Sequence, residues 1–168
     1  MKKYAVIYGS LTGKTADVAR RIGALLDVDE ADILNVKDVA PSMLGQYETL
    51  VLGTSTWGAG ELERDWYDLL DGIEGLDLKD KKIAIFGCGD EKMAKTFCNG
   101  VGELYQRLGK TGAKFIAPFN ADGYSFEESA AKIDGQFVGL LLDEVNHPEL
   151  TPERIVAWTD EIKKGENV

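Results

Sequence analysis

One histidine, two cysteines and four prolines are few for 168 residues, and each scarcity excludes something. His147, beside Pro148, cannot by itself build a histidine metal cage or a usual catalytic triad, and it reads as a surface loop residue. Cys88 and Cys98 have nine residues between them, which matches no metal-ligand spacing, and both read as reduced structural thiols. No apolar run approaches the roughly 20 residues that span a bilayer. The start, Met1-Lys2-Lys3-Tyr4, enters a short strand without the long apolar region and cleavage site of a signal peptide, so a cytoplasmic protein is expected. Basic residues are outnumbered 19 to 29 by acidic ones, giving a net charge of −10. Nucleic acid and anionic membranes would repel such a chain. Basic protein surfaces would attract it, although the same charge also serves solubility alone.

What the sequence does hold is a glycine- and hydroxyl-rich turn between a strand and a helix. The length suits one domain over 1–168 with a substantial core. Lys3 to Tyr8 reads as a buried strand, and Val18, Ile22 and Leu25 then recur at helical spacing. Between them lies Gly9-Ser10-Leu11-Thr12-Gly13-Lys14-Thr15. A helix that starts there points unsatisfied N–H groups and a positive dipole end at the turn, which suits phosphate. Only three residues separate Gly9 from Gly13, one short of the G-x-x-x-x-G-K-[ST] triphosphate loop. A single terminal phosphate fits better; an ordinary capped turn is the plain alternative.

Further strands are expected at 32–36, 48–54 and 82–86, and a fifth starts at 114–118. Helices are expected from about Leu62, with Leu62, Trp66, Leu69 and Leu70 on one face, from about Thr96 to Leu108, and after Thr151 as N-cap with Pro152 and Glu153 following. Short, continuously apolar strands alternating with helices predict a parallel sheet covered on both faces. Ligands of such sheets bind outside the carboxyl ends of the strands. Three glycine-rich loops follow strands directly: Gly9–Thr15, Ser55-Thr56-Trp57-Gly58-Ala59-Gly60-Glu61 and Gly87-Cys88-Gly89-Asp90. Trp57, between small residues, suits stacking on a flat ligand or folding back on its own domain, whereas Trp66 and Trp158 sit at core spacing. Phosphate at one loop and a planar heterocycle between the others describe a mononucleotide such as FMN.

At these loops the chain resembles the flavodoxins over its whole length. Gly9–Thr15 is similar to the family's phosphate loop, Thr54–Leu62 to its second flavin loop and Gly87–Asp90 to the start of its third. The resemblance implies a three-layer α/β/α sandwich on five parallel strands in the order 2-1-3-4-5. It also implies non-covalent FMN and one-electron transfer without an organic substrate, hence a low-potential carrier between redox proteins and not an enzyme. Length and an insert over about 120–136, which splits the last strand before it resumes at Phe137–Leu142, match the long-chain type. Carried over, Ser10, Leu11, Thr12, Gly13, Lys14 and Thr15 hold the phosphate, and Ser55 and Thr56 bracket the ribityl-phosphate arm. Trp57 covers one ring face, the peptide beside Gly58 meets flavin N5, and Cys88, Gly89 and Asp90 meet the pyrimidine edge. Thr54, Ala59, Gly60 and Phe97 complete the expected contacts.

One departure stands out. The family usually places a tyrosine four residues after the loop aspartate, stacked on the other ring face. Here the run is Asp90-Glu91-Lys92-Met93-Ala94-Lys95-Thr96-Phe97, one residue shorter and without tyrosine. Met93 is the candidate replacement, since a thioether packs against an aromatic face; Ala94, leaving the face open, is the alternative. An open face is what an FMN-dependent NAD(P)H:quinone-type reductase of related fold would need, and a flavin-free phosphate-binding module is a third reading. The expected partners are redox proteins with basic docking surfaces, with no nucleic acid, metal or membrane involved and the chain a monomer.

Overall fold

The computed structural model describes residues 1–10, 13–57, 61–93 and 95–165. Strands β1 (Lys2–Gly9), β2 (Ile33–Asn35), β3 (Tyr47–Trp57) and β5 (Lys82–Cys88) carry the apolar runs read above. With β10 (Leu140–Leu142) they form a parallel sheet in the order β10-β5-β3-β1-β2. Alternate residues feed two cores, because successive side chains of a strand face opposite ways. Ala5, Ile7, Leu50, Leu52, Ile83 and Ile85 pack with Trp66, Leu69 and Leu70 of α2 (Trp66–Ile73) and with Val101 and Leu104 of α3 (Asn99–Leu108). Val6, Val51, Ala84 and Phe86 pack with Val18 and Ile22 of α1 (Lys14–Leu25) and with Ile155, Trp158 and Ile162 of α4 (Thr151–Gly165). This is the three-layer sandwich. Trp66 and Trp158 are fully buried, and their indole N–H groups donate to the carbonyls of Gly53 (2.9 Å) and Ala117 (2.7 Å).

The expected five-strand count changes in detail, because among the described residues the sheet has seven strands. A short β4 (Glu61–Leu62) runs antiparallel to the end of β3. The last strand is split: β6 (Lys114–Phe115) pairs with the beginning of β5 and β10 with its end. Between these pieces, β7 (Phe119–Asn120), β8 (Lys132–Ile133) and β9 (Gln136–Phe137) form a separate antiparallel sheet in the order β7-β9-β8. Phe137, read as the resumed strand, belongs to this small sheet opposite Phe119.

Helix starts also move. Leu62 lies in β4 opposite Thr56, so α2 begins at Trp66 rather than near Leu62. Thr96 is held in a turn by the Met93 carbonyl and Cys98 is left-handed at φ 50, so α3 begins at Asn99. Thr151 is already helical, and its hydroxyl donates to Glu144 Oε2 at 3.2 Å instead of capping.

Candidate functional site at the carboxyl edge of the sheet

Parallel strands end together, so the loops after β1, β3, β5 and β10 meet at one edge. At the first, Gly13 takes φ +88, a left-handed value that suits glycine, with open space where a Cβ would stand. Its N–H donates to Ser10 Oγ at 3.1 Å, which folds the turn. Among the described residues no side chain caps α1, so the N–H groups of its first turn face the loop edge. Lys14 and Thr15 open the helix, Lys14 exposed and Thr15 with only 1 % of its surface accessible.

The end of β3 is fastened through hydroxyls. Thr54 is fully buried; its Oγ1 accepts the Glu63 N–H at 3.2 Å and donates to the Ser55 carbonyl at 2.9 Å. Thr56 Oγ1 accepts the Gly100 N–H at 3.0 Å, tying this loop to the first turn of α3. The Trp57 backbone pairs with Glu61. Leu11, Thr12, Gly58, Ala59, Gly60, Ala94 and the Trp57 side chain lie outside the described residues.

After β5 the chain crosses close to α3. A Cβ on Gly89 would stand 2.8 Å from Cys98 Sγ and 2.9 Å from its nitrogen, so a side chain has no room there. The Gly89 N–H donates to the Leu142 carbonyl at 2.9 Å. Burial pushes the Cys88 thiol up to about 12, with a weaker opposing hydrogen bond to Thr15, so Cys88 stays a thiol. Asp90 Oδ1 accepts the Lys92 N–H at 2.8 Å and Asn146 Nδ2 at 2.6 Å. Met93 is 53 % exposed and does not line the cavity where the loops meet. Phe97 is not brought to this edge: its ring is 1 % exposed in the core, packed at 5.4 Å against Phe126.

The fourth loop, Asp143-Glu144-Val145-Asn146, was not among the expected site residues. Asp143 is fully buried. Its Oδ1 accepts the N–H groups of Val145 (3.0 Å) and Asn146 (2.8 Å), and its Oδ2 those of Glu91 (3.0 Å) and the Asn146 amide (2.7 Å). Burial alone would raise its carboxyl, but these donors outweigh burial and hold it below the usual aspartate range. Asp143 thus joins the fourth loop to the third. His147 is part of this joint rather than a bare surface residue, with Nε2 3.3 Å from buried Glu91 and Nδ1 3.2 Å from Glu149. A signal for the loop existed: two carboxylates and an amide directly follow the apolar Leu140-Leu141-Leu142.

A cavity of about 160 Å³ opens where the loops meet, lined by Lys14, Thr15, Ser55, Thr56, Cys88, Gly89 and Asp90 with Glu144 and Val145. A larger hollow of about 580 Å³, by Lys2, Tyr4, Leu26 and Lys163, lies by the start of β1 and the ends of α1 and α4, away from the strand-end loops. Among the described residues no group of histidine, cysteine and carboxylate side chains is placed to hold a metal ion.

A doubly wound parallel sheet with a ligand cleft among the loops outside its strand ends defines a nucleotide-binding class of α/β protein. Comparison narrows the class, and the chain belongs to the flavodoxin family, whose model matches residues 6–158. It is 38% identical over 165 residues to a flavodoxin of Picosynechococcus sp., covering 97% of each chain. It is 38% identical over 159 residues to one of Haemophilus influenzae, covering 94% of this chain and 91% of that one. Among solved structures, the Fusobacterium nucleatum flavodoxin bound to flavin mononucleotide superposes with a TM-score of 0.88 at 34% identity, over 98% of this chain and 99% of that one.

Proposed function

We propose that this chain holds FMN non-covalently at the carboxyl edge of its sheet and carries single electrons between redox proteins. The observation that carries the reading is the convergence of the α1 N-terminus with the loops after β3, β5 and β10 on one cleft. The donor chemistry fits a mononucleotide. The first turn of α1, with Ser10, Gly13, Lys14 and Thr15, suits a phosphate dianion. Leu11 and Thr12 belong to the same phosphate loop. Thr54, Ser55 and Thr56 form the wall along the ribityl arm. By the family resemblance Trp57, Gly58, Ala59 and Gly60 belong to the ring's contacts, and Cys88, Gly89 and Asp90 meet its pyrimidine edge.

FMN supplies the redox chemistry when bound; the protein binds it, orients it and sets the electrostatics around it. Asp90 and the carboxylates of the wider surface disfavour added negative charge at the ring, which lowers the potential of the second reduction. Met93 packs on the ring face that the family's tyrosine usually covers. The chain works as a single-domain monomer, and its net charge of −10 steers it to basic surfaces on its partners. Titrating the apoprotein with FMN and following flavin fluorescence tests the reading. Stoichiometric quenching with one FMN per chain is expected, and unquenched flavin at every protein concentration would refute it.

A further inference from the structure

An anion site should not have a carboxylate in its wall, yet Glu144 lines the same cavity as Lys14 and Thr15. Its side chain is 12% exposed, so water does little to screen it. Both of its oxygens are engaged. Oε1 lies 3.1 Å from Arg21 Nη1, and Oε2 accepts the Thr151 hydroxyl at 3.2 Å. Arg21 stands on α1 seven residues beyond Lys14, about 10 Å along the helix at 1.5 Å per residue, and so reaches Glu144 from below the cleft. The same guanidinium lies 3.7 Å from Asp17, the acidic residue of the first turn of α1. One cation therefore offsets two carboxylates beside the helix end that is to hold a dianion. Glu144 and Lys14 line one cavity with Cys88 and act on its thiol in opposite senses, Glu144 raising its proton affinity and Lys14 lowering it.

We propose that Arg21 is a positioning residue which, by pairing with Glu144, keeps that carboxylate from repelling a phosphate and so sets the preference of this site for FMN over unphosphorylated riboflavin. The proposal rests on the FMN reading given above. Removing the guanidinium leaves an unbalanced negative charge in the wall, which a phosphate dianion feels and a neutral ribityl alcohol does not. Thr151 still holds Oε2, so the carboxylate stays in place when Arg21 is lost.

The test is the ratio of dissociation constants for riboflavin and FMN, measured by fluorescence quenching on the apoprotein of each variant at low and high salt. Arg21→Gln should weaken FMN roughly threefold to fivefold at low salt, the span of a partly exposed charge interaction, and leave riboflavin unchanged. The loss should shrink as salt screens the charges. Arg21→Lys should keep most of the wild-type ratio, and Arg21→Gln combined with Glu144→Gln should restore it. Equal weakening of both flavins would mark Arg21 as merely structural, and an unchanged ratio would remove its role; either overturns the proposal. Should Arg21→Gln fail to fold, Glu144→Gln alone decides. It leaves Arg21 unpaired and should raise the preference for FMN above wild type, and an equal or lower preference overturns the proposal. Wild-type protein that binds neither flavin would instead sink the FMN reading and this proposal with it.

Discussion

Gly13 and Asp143 shape the cleft by different physics. At Gly13 the cost of any other residue is the backbone itself, since φ is +88 and open space surrounds the Cβ position. Gly13→Ala should cost about 1–2 kcal/mol in a urea unfolding series of the apoprotein, and it should weaken FMN binding as the turn shifts. At Asp143 the cost is unmet hydrogen bonding, since three backbone N–H groups and one amide lose a buried acceptor. Asp143→Ala should destabilise by on the order of 2–3 kcal/mol. Its pH dependence has a definite sign. The folded carboxyl titrates below its ordinary value, so the folded state binds fewer protons than the unfolded one in that window. The stabilisation is present above the ordinary aspartate range and drains away as pH falls through the folded value. Asp143→Asn should flatten this acid limb in thermal melts recorded between about pH 5 and pH 2. Met93, 53 % exposed, is where the missing tyrosine is tested. Met93→Tyr should tighten FMN and lower its second reduction potential relative to wild type; equal dissociation constants and potentials would dismiss Met93 as the outer-face residue.

Among the elements, strands were more legible than helix starts. Ala5-Val6-Ile7, Leu50-Val51-Leu52 and Ile83-Ala84-Ile85-Phe86 are apolar because both faces of a parallel sheet are covered, and that shows in sequence. The start of α2 was misjudged because Leu62 has helical spacing with Trp66 and Leu69, yet it lies in β4, paired with Thr56 of β3. Local periodicity carries no trace of such a partner. The joint around Asp143 was hidden for the same reason, since its bond to the Glu91 N–H spans 52 positions. The insert shows how such long-range ties fasten a peripheral element. Tyr124 Oη donates to the Leu141 carbonyl at 2.6 Å, while the Arg154 guanidinium lies 3.7 Å above its ring. Ser129 Oγ donates to the Phe97 carbonyl, and the Ala130 N–H donates to Asn99 Oδ1 at 2.7 Å. Tyr124→Phe keeps the ring and removes one bond to β10, so a loss of about 1 kcal/mol in chemical denaturation is expected. A larger loss, or altered FMN affinity, would mean that the insert supports the cleft more closely than these bonds require.

The molecule as a whole combines a cleft at its strand ends with a strongly acidic chain. With a net charge of −10, electron transfer to a basic partner should be fast at low ionic strength and should slow as salt is added. Stopped-flow rates that ignore salt would separate the charge from docking and leave it to solubility. The glycine- and hydroxyl-rich loops after β1 and β3 were legible because these residues cluster directly after apolar strands, a local pattern. The wall supplied by Glu144 and Val145 becomes part of the cleft only when β10 lies beside β5.

The most direct measurement is the visible spectrum of the FMN-loaded protein during stepwise anaerobic reduction, with steady-state NADH oxidation recorded alongside. A one-electron carrier predicts two resolved stages, with a long-wavelength band that rises after the first electron and falls after the second, and no NADH oxidation. Direct bleaching in a single two-electron stage with sustained NADH turnover would contradict it and point to a reductase.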